Sequence, residues 1–216
     1  MPTINSSVLR GLYVIIDPEV AGGRPEEEIA RLAVDGGATL IQLRDKRREK
    51  GLQLEVARRL MQVCSTPNLR FIVNDHVDLA LAAGADGVHL GQKDLPTAIV
   101  RRKLMRQGII GCSTNNVEEA LRAQADGADY VSVGRLFPTT SKEDIRPATL
   151  ETLRAVKKAI SIPVAAIGGI TEESIDAVLA AGADMVCVIA AVVTAPDPRE
   201  AARRLAARIA AHQAAR

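Results

Sequence analysis

Short runs of apolar, largely β-branched residues alternate along the chain with longer segments whose apolar positions recur at helical spacing. The short runs predict strands at about 11–16, 38–43, 70–73, 87–90, 109–112, 129–133, 163–167 and 184–189. Between them, Glu26 to Asp35, Leu52 to Cys64, Leu95 to Arg106, Val117 to Asp126 and Glu172 to Ala181 read as helices. A final helix is predicted from about Pro198 to His212, because proline suits a first helical position that needs no backbone donor.

One junction signature recurs: Asp35-Gly36-Gly37-Ala38, Ala83-Gly84-Ala85-Asp86-Gly87, Asp126-Gly127-Ala128-Asp129 and Ala181-Gly182-Ala183-Asp184. Glycine after a helix accepts a left-handed backbone, and the small alanine lets the next strand start close to the helix just left. Each copy therefore closes one β-α unit and opens another. Eight such units in 216 residues favour an α/β fold of one (β/α)8 TIM barrel, with residues 1–216 as a single catalytic domain. A doubly wound open sheet is the alternative, since periodicity does not report closure.

Composition narrows the partners. The formal charge is +2, from 28 basic and 26 acidic side chains, and aromatic residues are 2% with no Trp, so neither a polyanion site nor base-stacking platforms are predicted and no nucleic-acid partner is expected. Arg199, Arg203, Arg204, Arg208 and Arg216 are interleaved with alanines and read as a solvated helix face. Cys64, Cys112 and Cys187 are odd in number, far apart and form no CxxC pair, and Cys112 and Cys187 lie in apolar runs where a small buried thiol is the ordinary reading, so a reducing cytoplasm is expected. No export signal or membrane-length apolar run is read, so no membrane partner is expected. A homo-oligomer is compatible with this reading.

The chemistry gathers where the predicted strands end. In Gln42-Leu43-Arg44-Asp45-Lys46, residues two apart project to one side of an extended backbone, bringing Gln42, Arg44 and Lys46 into one space suited to anionic oxygens. An exposed charged loop continuing through Arg47, Arg48 and Lys50 is the competing reading. Asp75 ends the run Phe71 to Asn74, and Asp94 follows Gly87 to Gln92; together they are placed to hold a divalent ion. As bland alternatives, they cap helices beginning near His76 and after Pro96. Carboxylates beside cations suit Mg²⁺ completed by substrate phosphates, whereas no histidine pair has metal spacing, so His89 is expected in the pocket wall and zinc is not required.

Three further strand ends add donors: Gly111 to Asn115, the hydroxyl run Thr139-Thr140-Ser141 before Lys142, and Gly168-Gly169 after the seventh strand. After the eighth, backbone amides around Ala190 and Ala191 can face an anion at the start of a short helix. Phosphate binding after strands seven and eight is a recurrent barrel solution, so a phosphorylated small molecule is expected.

In order and spacing, Gly11-Leu12-Tyr13-Val14-Ile15, Gln42 to Lys46, Asn74-Asp75, His89 to Asp94, Gly111-Cys112-Ser113, Phe137 to Lys142 and Ile167 to Ile170 resemble the thiamine-phosphate synthase (thiamine-phosphate pyrophosphorylase) family over nearly the whole chain. The resemblance implies a barrel transferase that joins 4-amino-2-methyl-5-(diphosphomethyl)pyrimidine to 4-methyl-5-(2-phosphooxyethyl)thiazole with Mg²⁺, releasing diphosphate. It implies Gln42, Arg44, Lys46, Asn74 and Lys142 around the pyrimidine diphosphate, Asp75 and Asp94 on magnesium, and Ser113 near the reacting pyrimidine. It assigns Arg44, Lys46, Ser113 and Lys142 to catalysis, and Thr139, Ser141, Gly169, Ala190 and Ala191 to the thiazole phosphate. Arg135 stands where the family commonly has proline, Ser141 where it has threonine and Ala190 where it has serine, and the glycine expected shortly after Pro147 is missing. A thiazole tautomerase-like enzyme and an inactive phosphate-ligand sensor are the competing readings.

Overall fold

A computed structural model of the chain describes residues 9–139 and 146–215. Eight strands, β1 (Gly11–Ile16), β2 (Ala38–Leu43), β3 (Arg70–Asn74), β4 (Gly87–Leu90), β5 (Ile109–Thr114), β6 (Tyr130–Val133), β7 (Val164–Ile167) and β8 (Met185–Val188), pair in chain order. All eight pairings are parallel, and β1 joins both β2 and β8, as in Val14 opposite Ile41 on one side and Val188 on the other. Closure excludes the open sheet. It also explains the near-continuous apolar runs, because each strand is buried both toward the barrel axis and toward the helices.

The helices follow the expected alternation: α1 (Glu26–Asp35), α2 (Lys50–Val63), α3 (Val77–Ala83), α4 (Thr97–Ile99), α5 (Val117–Ala125), α6 (Leu150–Ala159), α7 (Ile175–Ala180), α8 (Ala190–Val193) and α9 (Pro198–Ala214). α6 occupies a stretch that the periodicity left unassigned; a capping box between Thr149 and Thr152 starts it. The predicted helix from Leu95 is shorter than expected. It begins only after Pro96 and widens into a π-helical turn over Val100–Leu104, closed by Met105 N–H donating to the Val100 carbonyl at 2.8 Å. Arg101 satisfies the carbonyls beyond this turn, donating to Met105, Arg106, Gly108 and Gly127.

The repeated junction has a cross-strand function that its sequence does not reveal. The carboxylate of Asp86 accepts the Phe71 amide at 2.8 Å, that of Asp129 the Ile110 amide at 2.7 Å and that of Asp184 the Val164 amide at 2.8 Å. Each aspartate, standing just before an even-numbered strand, thus ties down the start of the preceding one at the stabilising end of the barrel. Gly84, at φ 69°, closes α3 in the left-handed conformation the signature predicts.

Cys112 and Cys187 are buried, as expected; Cys64 is buried too, and burial pushes its thiol up to about 12. Among the described residues no helix is long and apolar enough to cross a membrane.

Candidate active site

A cavity of about 1220 Å³ opens at the carboxyl ends of the strands. Gln42, Arg44, Lys46, Asn74, Asp75, Asp94, Ser113, Thr139, Gly169, Ala190 and Ala191 all line it. Ser141 and Lys142 lie outside the described residues.

β2 ends at Leu43, yet the alternation persists past it. Arg44 N–H still donates to the Ile16 carbonyl at 2.9 Å, and Gln42, Arg44 and Lys46 face the cavity while Asp45 turns away to Arg48. The exposed-loop reading therefore fails for Gln42 and Arg44; Lys46 is exposed, yet its ammonium turns to Asp75 and lines the cavity. Arg44 is held by an ion pair with Asp17, which is 1% exposed and itself fixed where β1 ends. Asp17 is a site-supporting residue that the sequence reading missed, although an acid directly after an apolar run was the signal used for Asp75.

Asp75 is the one non-glycine residue among those described with a positive φ, 62°. Asp is among the few residues that tolerate this conformation, and functional sites are where such conformations concentrate. The turn is fixed by Asp75 N–H donating to the His89 carbonyl at 2.8 Å, and it brings the carboxylate to 2.8 Å from Lys46 Nζ. Neither acid caps a helix: no side chain caps α3 or α4, and Asp94 instead accepts the Gly91 amide at 2.6 Å.

Asp75 and Asp94 share a hydrogen bond, so the sites close in sequence order are also one electrostatic unit. Burial opposes ionisation of Asp75, but Lys46 and the hydrogen bond from Asp94 outweigh it and hold this carboxyl below its ordinary range. Burial raises Asp94, and although the Gly91 amide works against that, the Asp75 carboxylate reinforces it. Two carboxyl groups side by side form a hard-oxygen pair of the kind that can hold a divalent ion. Among the described residues no three His, Cys, Asp or Glu side chains converge, so a cation held by this pair would draw its remaining ligands from elsewhere.

The cavity floor is a hydrogen-bonded chain. Gln42 Nε2 donates to Tyr13 Oη, which lies 2.9 Å from Tyr130 Oη; Tyr130 Oη is 3.0 Å from His89 Nδ1, and His89 Nε2 is 2.9 Å from Ser113 Oγ. His89 is thus in the pocket wall as expected, and it also orients Ser113. The two tyrosines, 117 positions apart, meet only because β1 and β6 face one interior. No spacing rule would have found them.

On the β5–β6 side, Asn115 Nδ2 donates to the Gly134 and Arg146 carbonyls, each at 2.7 Å, and Glu119 accepts both Nη atoms of Arg146 at 2.8 Å. The Arg146 guanidinium holds the Glu119 carboxyl below its ordinary range. A carboxyl that titrates lower in the fold contributes stability that is complete above its unfolded pKa and vanishes as pH falls through its folded value. Glu119→Gln is therefore expected to melt below the parent protein at neutral pH, with the gap closing on acidification. A gap independent of pH would show that the ion pair contributes nothing.

Comparison with known proteins shows the family. A family model described as thiamine monophosphate synthase matches residues 12–192. The chain is similar to the thiamine-phosphate synthase of Shouchella clausii, 47% identical over 91% of this chain and 94% of that one. It is equally similar to that of Methanocella arvoryzae, 47% identical over 94% and 96% of the two chains. Among solved structures, thiamine phosphate pyrophosphorylase from Pyrococcus furiosus superposes with a TM-score of 0.88 at 39% identity, covering 96% of this chain and 98% of that one.

Proposed function

Because the chain belongs to the thiamine monophosphate synthase family and is an enzyme of that transferase class, we propose that its cavity joins the aminopyrimidine diphosphate to the thiazole phosphate by dissociative substitution. One observation carries this reading: Arg44, Lys46 and the Asp75–Asp94 pair meet on one wall of one cavity. Cations and an acidic pair in contact suit a diphosphate and its counter-ion better than either feature alone.

Gln42, Arg44, Lys46, Asn74 and Ser113 would hold the pyrimidine diphosphate, and Thr139, Gly169, Ala190 and Ala191 the thiazole phosphate. Ser141 and Lys142 are assigned to these groups by family resemblance alone. The bond from the exocyclic methylene to the diphosphate oxygen breaks with its electron pair leaving on diphosphate, and the aminopyrimidine spreads the positive charge left on carbon. The thiazole nitrogen then donates its lone pair to that carbon. Arg44, oriented by Asp17, and Lys46 stabilise the negative charge that develops on the leaving group. Asp75 and Asp94 would hold Mg²⁺, which when bound neutralises diphosphate charge. Walls such as Ile15, Ile167 and Val188 keep water from the activated carbon. No protein nucleophile is needed. Residues 1–216 would act as one catalytic domain in the cytoplasm.

The test follows both products at once. With the two substrates and Mg²⁺, thiamine phosphate and diphosphate are expected in equal amounts, and thorough metal removal should suppress both. Folded protein that binds both substrates yet forms neither product would refute the reading; undiminished turnover without metal would refute the role of the acidic pair.

A further inference from the structure

Three arginines line the cavity: Arg44, Arg135 and Arg146. Arg44 pairs with Asp17, and Arg146 with Glu119. Arg135 differs from both. It is half-buried, and among the described residues it has neither a hydrogen-bond nor an ion-pair partner for its side chain. A guanidinium partly withdrawn from water without a counter-charge costs free energy that an anionic ligand would recover.

Its position is well defined. The backbone of Arg135 is fixed on both sides, its N–H donating to the Arg146 carbonyl at 3.1 Å and its carbonyl accepting Ala148 N–H at 2.8 Å. Its stem packs on Gly168, where an added Cβ would lie 2.7 Å from Arg135 Cα and 3.0 Å from its Cγ. Gly168 adjoins Gly169, and with Ala190 and Ala191 they line the same cavity without contributing a side-chain donor or a charge. The cations Arg44 and Lys46 belong to the β2 end of the cavity and are already engaged by Asp17 and Asp75.

We propose that Arg135 is a binding and specificity residue for the phosphate of the second substrate, gripping its oxygens through the guanidinium fork beside the Gly168–Gly169 turn. The inference rests on the synthase reading above and adds to it the residue that supplies the charge on the phosphate side. A planar fork matches phosphate oxygens two at a time, which a lysine does not reproduce.

Arg135→Gln and Arg135→Lys test this, both keeping a stem against Gly168. In Arg135→Gln the KM for the thiazole phosphate should rise about tenfold, the size of a lost charge-assisted contact, while the KM for the pyrimidine diphosphate stays unchanged. Arg135→Lys should fall between the two. Calorimetry with the thiazole phosphate and with its dephosphorylated alcohol supplies the control: the variants should weaken binding of the phosphate and not of the alcohol. Equal weakening of both, or a rise in the diphosphate KM instead, would overturn the role of Arg135 while leaving the synthase reading intact. Absence of product from the parent protein would overturn both.

Discussion

Asp75→Asn is expected to lower turnover roughly a hundredfold or more, the scale seen when a major electrostatic stabiliser of the transition state is removed, with little change in thermal unfolding. Asparagine keeps the approximate size of the side chain and tolerates the left-handed backbone at φ 62°, so the turn after β3 should persist. It removes the negative charge that Lys46 approaches at 2.8 Å and that Asp94 shares by a hydrogen bond. Since no side chain caps α3, capping gives no reason for the substitution to be felt in the fold. Turnover measured across Mg²⁺ concentrations should show a depressed maximum and a shift to higher metal. Near-parental kinetics with the same Mg²⁺ response would remove Asp75 from the site.

Gly111→Ala should be strongly damaging beneath the cavity floor. A Cβ there would lie 2.1 Å from Tyr130 Cζ and 2.5 Å from His89 Nδ1. Tyr130 is fully buried and packed edge-on against Tyr13, with ring centroids 6.1 Å apart, so its ring cannot simply swing aside. Overpacking of this kind costs about 3 kcal/mol. The loss should reach function as well, because the displaced atoms belong to the chain that orients Ser113 through His89. Denaturant unfolding and turnover together give the answer. Unfolding within about 0.5 kcal/mol of the parent protein, with normal turnover, would mean that the floor relaxes freely, as an ordinary surface site would.

Both substitutions act on contacts between strands that are distant in sequence. This divides what was legible in the chain from what was not. The eight short apolar runs and the glycine–alanine junctions determined the number and order of β-α units, because helix and strand periods and left-handed turns are properties of a few consecutive residues. The strand-end positions of Gln42, Arg44, Asp75, Asp94 and Ser113 were equally readable, since an abrupt change from apolar to polar marks where a buried strand meets solvent. The helix predicted from Leu95 to Arg106 erred for the complementary reason. Its π turn is closed off by Arg101 reaching the carbonyls of Gly108 and Gly127, partners that helical periodicity does not encode.

Which strand ends face one another was decided only by closure. Pairing β1 with β8 sets Tyr13 against Tyr130, and the loops between carry Asp17 to Arg44, Lys46 to Asp75 and Asp94 to Asp75. The sequence by itself determined the units and the residues available at their ends; the barrel decided which of those ends hydrogen-bond, pair as ions or, as with Arg135, find no side-chain partner among the described residues, because Coulomb and hydrogen-bond energies depend on separations in space, whereas residue patterns record only separations along the chain.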